Sequence, residues 1–304
     1  MRIEILGSSA GGGLPQFNCN CNNCKGYREG KKSIKRRTQS SITISEDGEN
    51  WVLFNTSPDI LEQIHNSSFL HPTKPRETKI KAIIFIDAQI DHTTGLLMLR
   101  EGCPHEVYCT KEVNEELNTS FPLFKMLEHW DGGGTIYNEI IPNSKSFELP
   151  IMPNHEFYAL PLISNAPPYS KYRDKPRSGD NIGIVVKNKL TGKKLFYLPG
   201  LGVLEKHIIK EMSQADILLV DGTLWTNDEM IKNGFSQKLG TDMGHIPLSG
   251  EHGLIKILDT LDKPRKILIH INNTNPILDE TSKEYTELIS HDIEISYDGM
   301  SIEI

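Results

Sequence analysis

Short runs of apolar residues alternate with helical patterns along most of the chain. The runs at 1–6, 40–45 and 51–55 predict strands, because each is short, apolar or β-branched, and bounded by turn-forming residues. Residues 46–49 (Glu-Asp-Gly-Glu) predict the turn that pairs the second and third of these strands.

The same reasoning predicts further strands at 80–86, 217–221 and 266–271, and a hairpin of 182–187 with 194–198 around Thr191-Gly192. Helices are predicted at 58–66, 95–100, 203–213 and 250–261, with Thr93 and Thr94 as caps of the second. No repeat or linker interrupts this order, so we expect a single α/β domain over residues 1–304. Residues 165–181, rich in Pro, Lys and Arg, predict a long functional loop.

Composition narrows the class of protein. The chain has 304 residues, 37% of them hydrophobic and 24% charged, which is typical of a globular protein with a sizeable core. A net charge of −7 disfavours broad binding to nucleic acid or anionic membrane. The basic run KKSIKRR at 31–37 fits a solvated face or a local anion site better than a nucleic-acid patch. Neither a signal peptide nor an apolar membrane span is recognisable, so we expect a cytoplasmic location.

Three of the five cysteines lie close together, as Cys19, Cys21 and Cys24. The C-x-C-x-x-C spacing is not a disulfide framework, and it indicates a reducing compartment. Three thiolates within six residues suit one structural Zn²⁺, which needs a fourth ligand. Free reduced thiols are the alternative.

Polar side chains follow three strands that are predicted to be buried. The strand at 80–86 leads into Asp87, Gln89, Asp91 and His92, while Asp221 and His270 end two later strands. In open α/β sheets, sites form at the carboxyl ends of strands. Asp91 and His92 are adjacent, so they must lie in the turn after the strand in order to share a metal. With His270 they would form the two-histidine, one-carboxylate set of non-heme iron(II) oxygenases. Alternatively, His92 caps a helix and His270 is an ordinary strand histidine.

Residues 87–95, DAQIDHTTG, resemble the metallo-β-lactamase signature H-x-H-x-D-H-x-x-G with its two leading histidines replaced. ADILLVDGT at 215–223, GTDMGH at 240–245 and ILIHI at 267–271 are similar to the same superfamily, especially to ribonuclease Z. Together with GSSAGGGLPQFNCNCNNC, RTQSS and HINNTNP, they resemble, from end to end, a family of pyrroloquinoline quinone (PQQ) biosynthesis proteins. The resemblance implies an αββα sandwich with the site at one edge between its sheets.

The departures from the superfamily indicate what the site has lost. In its hydrolases, three histidines hold the first metal, and an aspartate bridges to the second. Here Asp87 and Gln89 replace two of those histidines, the third falls near residues 164–165, and the aspartate falls near 200–201. The resemblance leaves the ligands of one metal, namely Asp91, His92 and His270. Because two-metal hydrolysis needs both ions, ordinary ester or lactam hydrolysis is disfavoured.

The resemblance also implies roles for three further residues. Asp221 and His245 match acid–base helpers of ribonuclease Z rather than metal ligands; alternatively, they form a hydrogen-bonded pair that only braces the glycine loop. A phosphodiesterase relative with the same cysteine spacing draws its fourth zinc ligand from the position of Asn273. His252 and a water molecule are the other candidates for that ligand.

The resemblance implies a step in PQQ assembly, which starts from a glutamate and a tyrosine of a small peptide. The preferred chemistry is Fe(II)- and O₂-dependent hydroxylation of the tyrosine ring in a cross-linked Glu-Tyr precursor. Lys171, Arg173 and Arg177 of the loop, with Asp87 and Gln89, are the candidate substrate contacts. The alternatives are a non-catalytic carrier that assists transport of PQQ or its precursor to the periplasm, and a residual zinc hydrolase. Expected partners are the peptide-derived precursor and other PQQ biosynthesis proteins, and the sequence is compatible with a homodimer.

Overall fold

The chain folds into short strands and helices in the order that the hydrophobic pattern predicts. A computed structural model describes residues 1–130, 132–143 and 146–304. The strands are β1 (Arg2–Gly7), β2 (Ser41–Ser45), β3 (Trp51–Phe54), β4 (Ile80–Ile84), β5 (His105–Thr110), β6 (Thr135–Ile140), β7 (His155–Pro161), β8 (Ile182–Asn188), β9 (Lys194–Leu198), β10 (Ile217–Asp221), β11 (Arg265–Ile269), β12 (Ile293–Ile295) and β13 (Ser301–Glu303).

Most helices of the chain are short. They are α1 (Asn22–Arg28), α2 (Ile60–His65), α3 (Ile90–Thr93), α4 (Lys111–Asn118), α5 (Leu123–Leu127), α6 (Lys206–Gln214), α7 (Glu229–Lys232), α8 (Leu254–Leu258) and α9 (Lys283–Ser290). Turns of 3-10 helix lie at Ser68–Leu70, Thr94–Gly102, Thr241–Met243 and Pro276–Leu278. Among the described residues, no helix is both long enough and apolar enough to span a membrane.

Tertiary contacts divide the chain into two units, and the prediction of a single domain stays a prediction. The first unit comprises residues 1–7, 41–193 and 299–304, and the second comprises 8–40 and 194–298. The first contains a mixed sheet with the strand order β13-β1-β2-β3-β4-β5-β6. Its pairs from β13 to β3 are antiparallel and those from β3 to β6 are parallel. The first unit also contains β7 and β8, which pair antiparallel with each other.

The core of the first unit lies against the parallel part of its sheet. All four residues of β3 are buried, and so are four of the five in β4, which accounts for their apolar sequences; Lys81 is the one polar residue and the one that is only half-buried. Trp51, Phe85 and Phe124 belong to this core, together with Leu96 from the 3-10 segment. The segment that leads from β4 to Leu96 is therefore anchored at both ends by apolar packing.

The second unit contains the parallel strands β9, β10, β11 and β12, where β10 pairs with β9 and β11, and β11 pairs with β12. β10 is buried at every position, and helix α6 buries Ile208 and Met212. β10 and β11 run in the same direction, with Asp221 paired to Ile269 in register. Their carboxyl ends therefore bring Asp221 and His270 to the same edge of the strands.

The predicted helix at 95–100 is wrong in its start and in its type. An α-helical turn already begins at Ile90, and the chain continues from Thr94 as 3-10 helix. A capping threonine accepts a hydrogen bond from a backbone N–H, whereas Thr93 and Thr94 donate theirs to the carbonyls of Gln89 and Ile90. Asp91 and His92 accordingly lie on a helical turn that follows the strand.

Candidate functional site

In the first unit, His92 is oriented by a carboxylate five residues earlier. Asp87 follows β4 by three residues, and its backbone bridges to Asn181. Its Oδ2 lies 2.8 Å from Nδ1 of His92, and its Oδ1 accepts a hydrogen bond from the N–H of Gln89 at 2.9 Å. A carboxylate on one imidazole nitrogen directs the other nitrogen towards a metal, as is usual for metal-binding histidines. The predicted contact of Asp87 with substrate stays a prediction, but the structure gives this carboxylate two internal partners.

The second nitrogen of His92 lies beside the next carboxylate. Nε2 of His92 and Oδ2 of Asp91 are 3.9 Å apart. Two ligand atoms that each lie about 2.1 Å from one ion are at most about 4 Å apart, so these two atoms are close enough to bind the same ion. Burial opposes protonation of the ring, but the charges of Asp87 and Asp91 outweigh it and raise the pKa of His92 to about 9. A metal at this nitrogen therefore competes with a proton.

A close backbone contact fixes the turn that carries His92. The N–H of Thr56 donates to the carbonyl of His92 at 2.6 Å, and the N–H of Gly95 donates to the carbonyl of Thr56 at 3.0 Å. A Cβ on Gly95 would lie 2.0 Å from the carbonyl oxygen of Ser57, which is well inside van der Waals contact. Only glycine therefore fits here, and this explains the glycine that ends the DAQIDHTTG segment.

In the second unit, Asp221 and His245 form a hydrogen-bonded pair. Oδ2 of Asp221 lies 2.7 Å from Nδ1 of His245 and also accepts the N–H of Leu201 at 2.9 Å. The carboxylate is fully buried. Burial acts to raise the pKa of Asp221, but the charge and the hydrogen bond of His245 outweigh it and lower the pKa. The carboxylate therefore stays ionised. This arrangement orients the imidazole as in other carboxylate–histidine pairs, with Nε2 as the atom that can exchange a proton.

His270 follows β11 in a left-handed backbone conformation, with φ of +58°. Its ring stacks on that of His245, with centroids 5.4 Å apart and an interplanar angle of 22°. Ligand atoms of Asp221, His245 and His270 all lie within 4.8 Å of one another. The structure thus brings Asp221, His245 and His270 together. The predicted metal ligands include two residues of the first unit and His270 of the second, and this ligand set stays a prediction.

Thr223 contacts all three of these side chains, although no sequence motif predicts a site role for it. Its Oγ1 lies 2.6 Å from Oδ1 of Asp221, 3.1 Å from Nδ1 of His245 and 3.0 Å from Nδ1 of His270. The one signal in the sequence was its place just after Asp221-Gly222, where a buried strand ends in polar residues.

The three clustered cysteines form a compact group at the start of α1, all in the second unit. Their Sγ atoms lie within 4.8 Å of one another. The N–H of Gln16 donates to Sγ of Cys24 at 3.3 Å, and the N–H of Cys21 donates to Sγ of Cys19 at 3.4 Å. Burial, with the neighbouring Cys24, raises the pKa of Cys21 to about 12, so a metal here must displace a proton from the thiol. The converging sulfurs fit a tetrahedral Zn²⁺ with one more ligand.

Asn273 is the residue that faces this group. Its carboxamide nitrogen lies 3.1, 3.5 and 3.2 Å from the sulfurs of Cys19, Cys21 and Cys24. Because the amide can present its oxygen in place of its nitrogen by a half-turn, the position suits a fourth zinc ligand. The role of Asn273 as that ligand stays a prediction.

Asn23 connects the cysteine group to the segment after His270. Its side-chain amide donates both hydrogens, to the carbonyls of Asn273 at 2.9 Å and Asn275 at 2.8 Å. Asn275 in turn donates to the carbonyl of Gly222 at 2.9 Å. A chain of buried amides therefore links the cysteines with the turn that carries Thr223.

Residues 165–181 form an irregular segment of turns, and a functional role for this loop stays a prediction. Arg177 of this loop is held by Glu115, by Glu116 at 3.4 Å and by Asp180 at 2.8 Å. Lys171 lies 3.1 Å from Glu115 with its side chain 62% exposed, and Arg173 donates to the carbonyl of Ala166. Substrate binding by these three residues stays a prediction, and the geometry favours Lys171 over the internally paired Arg177.

Comparison with known proteins agrees with this fold. A family profile described as "Beta-lactamase superfamily domain" matches residues 50–271. The fold is therefore that of the β-lactamase superfamily, an α/β class with two mixed sheets and helices, as the sequence resemblance implied.

Full-length relatives narrow the family. "Coenzyme PQQ synthesis protein B" of Pseudomonas protegens is 54% identical over 305 residues, and its namesake from Azotobacter vinelandii is 53% identical; each alignment covers 100% of both chains. The crystal structure of Zn²⁺-bound PqqB from Methylobacterium extorquens superposes with a TM-score of 0.92 at 33% identity, again over 100% of both chains. This chain belongs to the coenzyme PQQ synthesis protein B family.

Proposed function

We propose that this chain acts in the biosynthesis of PQQ and binds metal ions in doing so. The names of its full-length relatives support the pathway, and the zinc-bound relative supports metal binding. Within the chain, the converging thiols of Cys19, Cys21 and Cys24 support a structural Zn²⁺.

For the reaction we propose Fe(II)- and O₂-dependent hydroxylation of the tyrosine ring in a peptide-derived Glu-Tyr precursor. Asp91, His92 and His270 are the proposed iron ligands. The observation that carries the proposal is the setting of His92, with Asp87 on one ring nitrogen and Asp91 3.9 Å from the other. Two histidines and one carboxylate are the ligand set that leaves positions open for O₂ and substrate.

Iron(II) held by these residues would supply the activation of dioxygen. In the proposed reaction one oxygen atom enters a ring C–H bond, and the other leaves as water after taking up two electrons from a small-molecule reductant and two protons. The chain's own contribution to proton transfer is His245. Asp221 holds its Nδ1 at 2.7 Å, so Nε2 is the atom that exchanges a proton with the phenol or with departing water.

The test is anaerobic loading of the purified protein with iron(II), followed by a Glu-Tyr substrate, ascorbate and oxygen. Mass spectrometry should then detect a gain of one oxygen atom. We expect His92→Ala and His270→Ala to abolish this product, and His207→Ala, which removes an exposed histidine of α6, to leave it unchanged.

Three outcomes would contradict the proposed reaction. Product formation that survives both ligand variants would remove the proposed metal site from the chemistry. Absence of product from every tyrosine substrate, with saturable binding of PQQ itself, would instead support the carrier function. Peptide cleavage that depends on zinc would support the hydrolase.

A further inference from the structure

We propose that Thr223 is a positioning residue that fixes which nitrogen of His270 carries the proton. This inference rests on the proposed function in one respect, which is that His270 binds the metal. The hydrogen-bond geometry on which it stands belongs entirely to the second unit.

Counting donors and acceptors around the Thr223 hydroxyl gives the assignment. A hydroxyl has one hydrogen to donate and two lone pairs with which to accept. Its Oγ1 lies 2.6 Å from a carboxylate oxygen of Asp221 and 2.9 Å from the carbonyl oxygen of His270. Both of these oxygens can only accept, so the single hydrogen of Thr223 goes to one of them. The shorter contact, to the charged carboxylate, is the stronger one.

The hydroxyl is consequently an acceptor towards the imidazoles. Nδ1 of His270 lies 3.0 Å from Oγ1 and must donate its hydrogen to it. Nδ1 of His245 lies closer to Asp221, at 2.7 Å, than to Thr223, at 3.1 Å, so its hydrogen goes chiefly to the carboxylate. In its neutral form, each ring then carries its proton on Nδ1 and a lone pair on Nε2. For His270 that is the tautomer which can bind a metal through Nε2.

The surrounding backbone holds the hydroxyl in this place. The N–H of Thr223 donates to Asp221 at 2.9 Å, and the N–H of Asn272 donates to the carbonyl of Thr223 at 3.0 Å. A Cβ on Gly222 would lie 2.9 Å from Cβ of Leu268, so a glycine is needed for the turn to pass this close to β11. The position of Thr223 is therefore set by the two strand ends and not by its own rotamer alone.

Thr223→Val tests the hydroxyl because it keeps the shape of the side chain and removes the acceptor. Thr223→Ser is the matched control, since it keeps the hydroxyl and loses only a methyl group. The first readout is long-range ¹H–¹⁵N NMR of the histidine rings in protein without metal at the active site. It needs neither iron nor substrate, so it is independent of whether hydroxylation occurs.

We expect the native protein and Thr223→Ser to show His270 protonated on Nδ1. In Thr223→Val the Nδ1 hydrogen loses the Thr223 hydroxyl as acceptor, and the population of the Nε2-protonated form of the ring should rise. The second readout is cobalt(II) binding to protein whose cysteine group is already loaded with zinc, followed by visible absorption. Loss of a partner that orients a metal-binding histidine typically lowers affinity about 10- to 100-fold, and we expect this loss for Thr223→Val only.

Two results would overturn the inference. One is a Thr223→Val protein that keeps His270 protonated on Nδ1. The other is a Thr223→Ser protein that loses the tautomer to the same degree as Thr223→Val. If Thr223→Val does not fold, the tautomer in the native protein and in Thr223→Ser still decides, because Nε2 protonation of His270 in either one contradicts the assignment.

Discussion

Asn23 offers a stringent test of the amide link between the cysteine group and the segment after His270. Its side chain is 4% exposed and gives both amide hydrogens to backbone carbonyls, those of Asn273 and Asn275. Asn23→Ala removes both donors and leaves two buried carbonyls short of a partner. Leaving a buried polar group unsatisfied costs about 1–3 kcal/mol. Each carbonyl retains one contact, that of Asn273 with the Cys21 thiol at 3.4 Å and that of Asn275 with the N–H of Leu278 at 3.2 Å. We therefore expect a total loss of about 2 kcal/mol, the lower end of this range for two groups.

Urea unfolding followed by circular dichroism measures this loss. The dependence of the unfolding free energy on urea has a slope of about 1–3 kcal/mol per M, and at the upper end of this range the midpoint should fall by about 0.7 M. Asn22→Ala is the matched control, because Asn22 is the exposed neighbour on the same first turn of α1. Both variants gain the same few tenths of a kcal/mol in helix propensity, so their difference isolates the two hydrogen bonds.

Surface substitutions ordinarily change the free energy of unfolding by up to about 0.5 kcal/mol. An Asn23→Ala protein whose free energy of unfolding lies within that range of the value for Asn22→Ala would refute this prediction. In that case the carbonyls would be satisfied by other partners. The amide link would then not stabilise the segment that follows His270.

Three further predictions concern other parts of the chain. Burial opposes ionisation of Asp47, but the N–H groups of the turn, led by that of Asn50, outweigh it and lower the pKa of Asp47 to about 2. The ionised carboxylate therefore stabilises the fold fully above its unfolded pKa of 3.8, and this stabilisation is lost as the pH falls towards 2. In thermal unfolding, the stability difference between the native protein and Asp47→Ala should narrow between about pH 4 and pH 2, and a constant difference would contradict this. Cys24→Ser should lower the zinc content measured by elemental analysis, whereas Cys103→Ser, outside the cysteine group, should not; equal loss in both would argue against the predicted site. Gly95→Ala should lower the free energy of unfolding in urea by more than about 3 kcal/mol, because the new Cβ would overlap a backbone carbonyl. Gly200→Ala, whose Cβ would meet no atom within 4 Å, should leave it nearly unchanged. Similar urea midpoints for the two variants would contradict the predicted overlap.

The hydrophobic pattern located several strands to within one or two residues. The predicted strand at 80–86 is observed as Ile80–Ile84, and the predicted strand at 217–221 is observed at the same residues. Short, buried, β-branched runs make this possible, because their extended conformation follows from local residue preferences and flanking turns. The segment after β4 was predicted less well. Apolar spacing alone does not separate α-helix from 3-10 helix, and the threonine hydroxyls that resemble caps donate to carbonyls instead.

The sequence by itself determined the family, the cysteine spacing and the positions where buried strands end in Asp or His. These features are local, since a motif or a strand end is written in consecutive residues. Only the tertiary structure decided that Asp87 orients His92. The contacts of Thr223 with Asp221, His245 and His270 are likewise tertiary. The same holds for the hydrogen bonds that Asn23 donates to the carbonyls of Asn273 and Asn275. Such roles depend on the directions of side chains, in several cases from residues far apart in the chain. Those directions are set by backbone angles such as the left-handed φ of His270 and by close contacts such as that at Gly222, which no sequence pattern specifies.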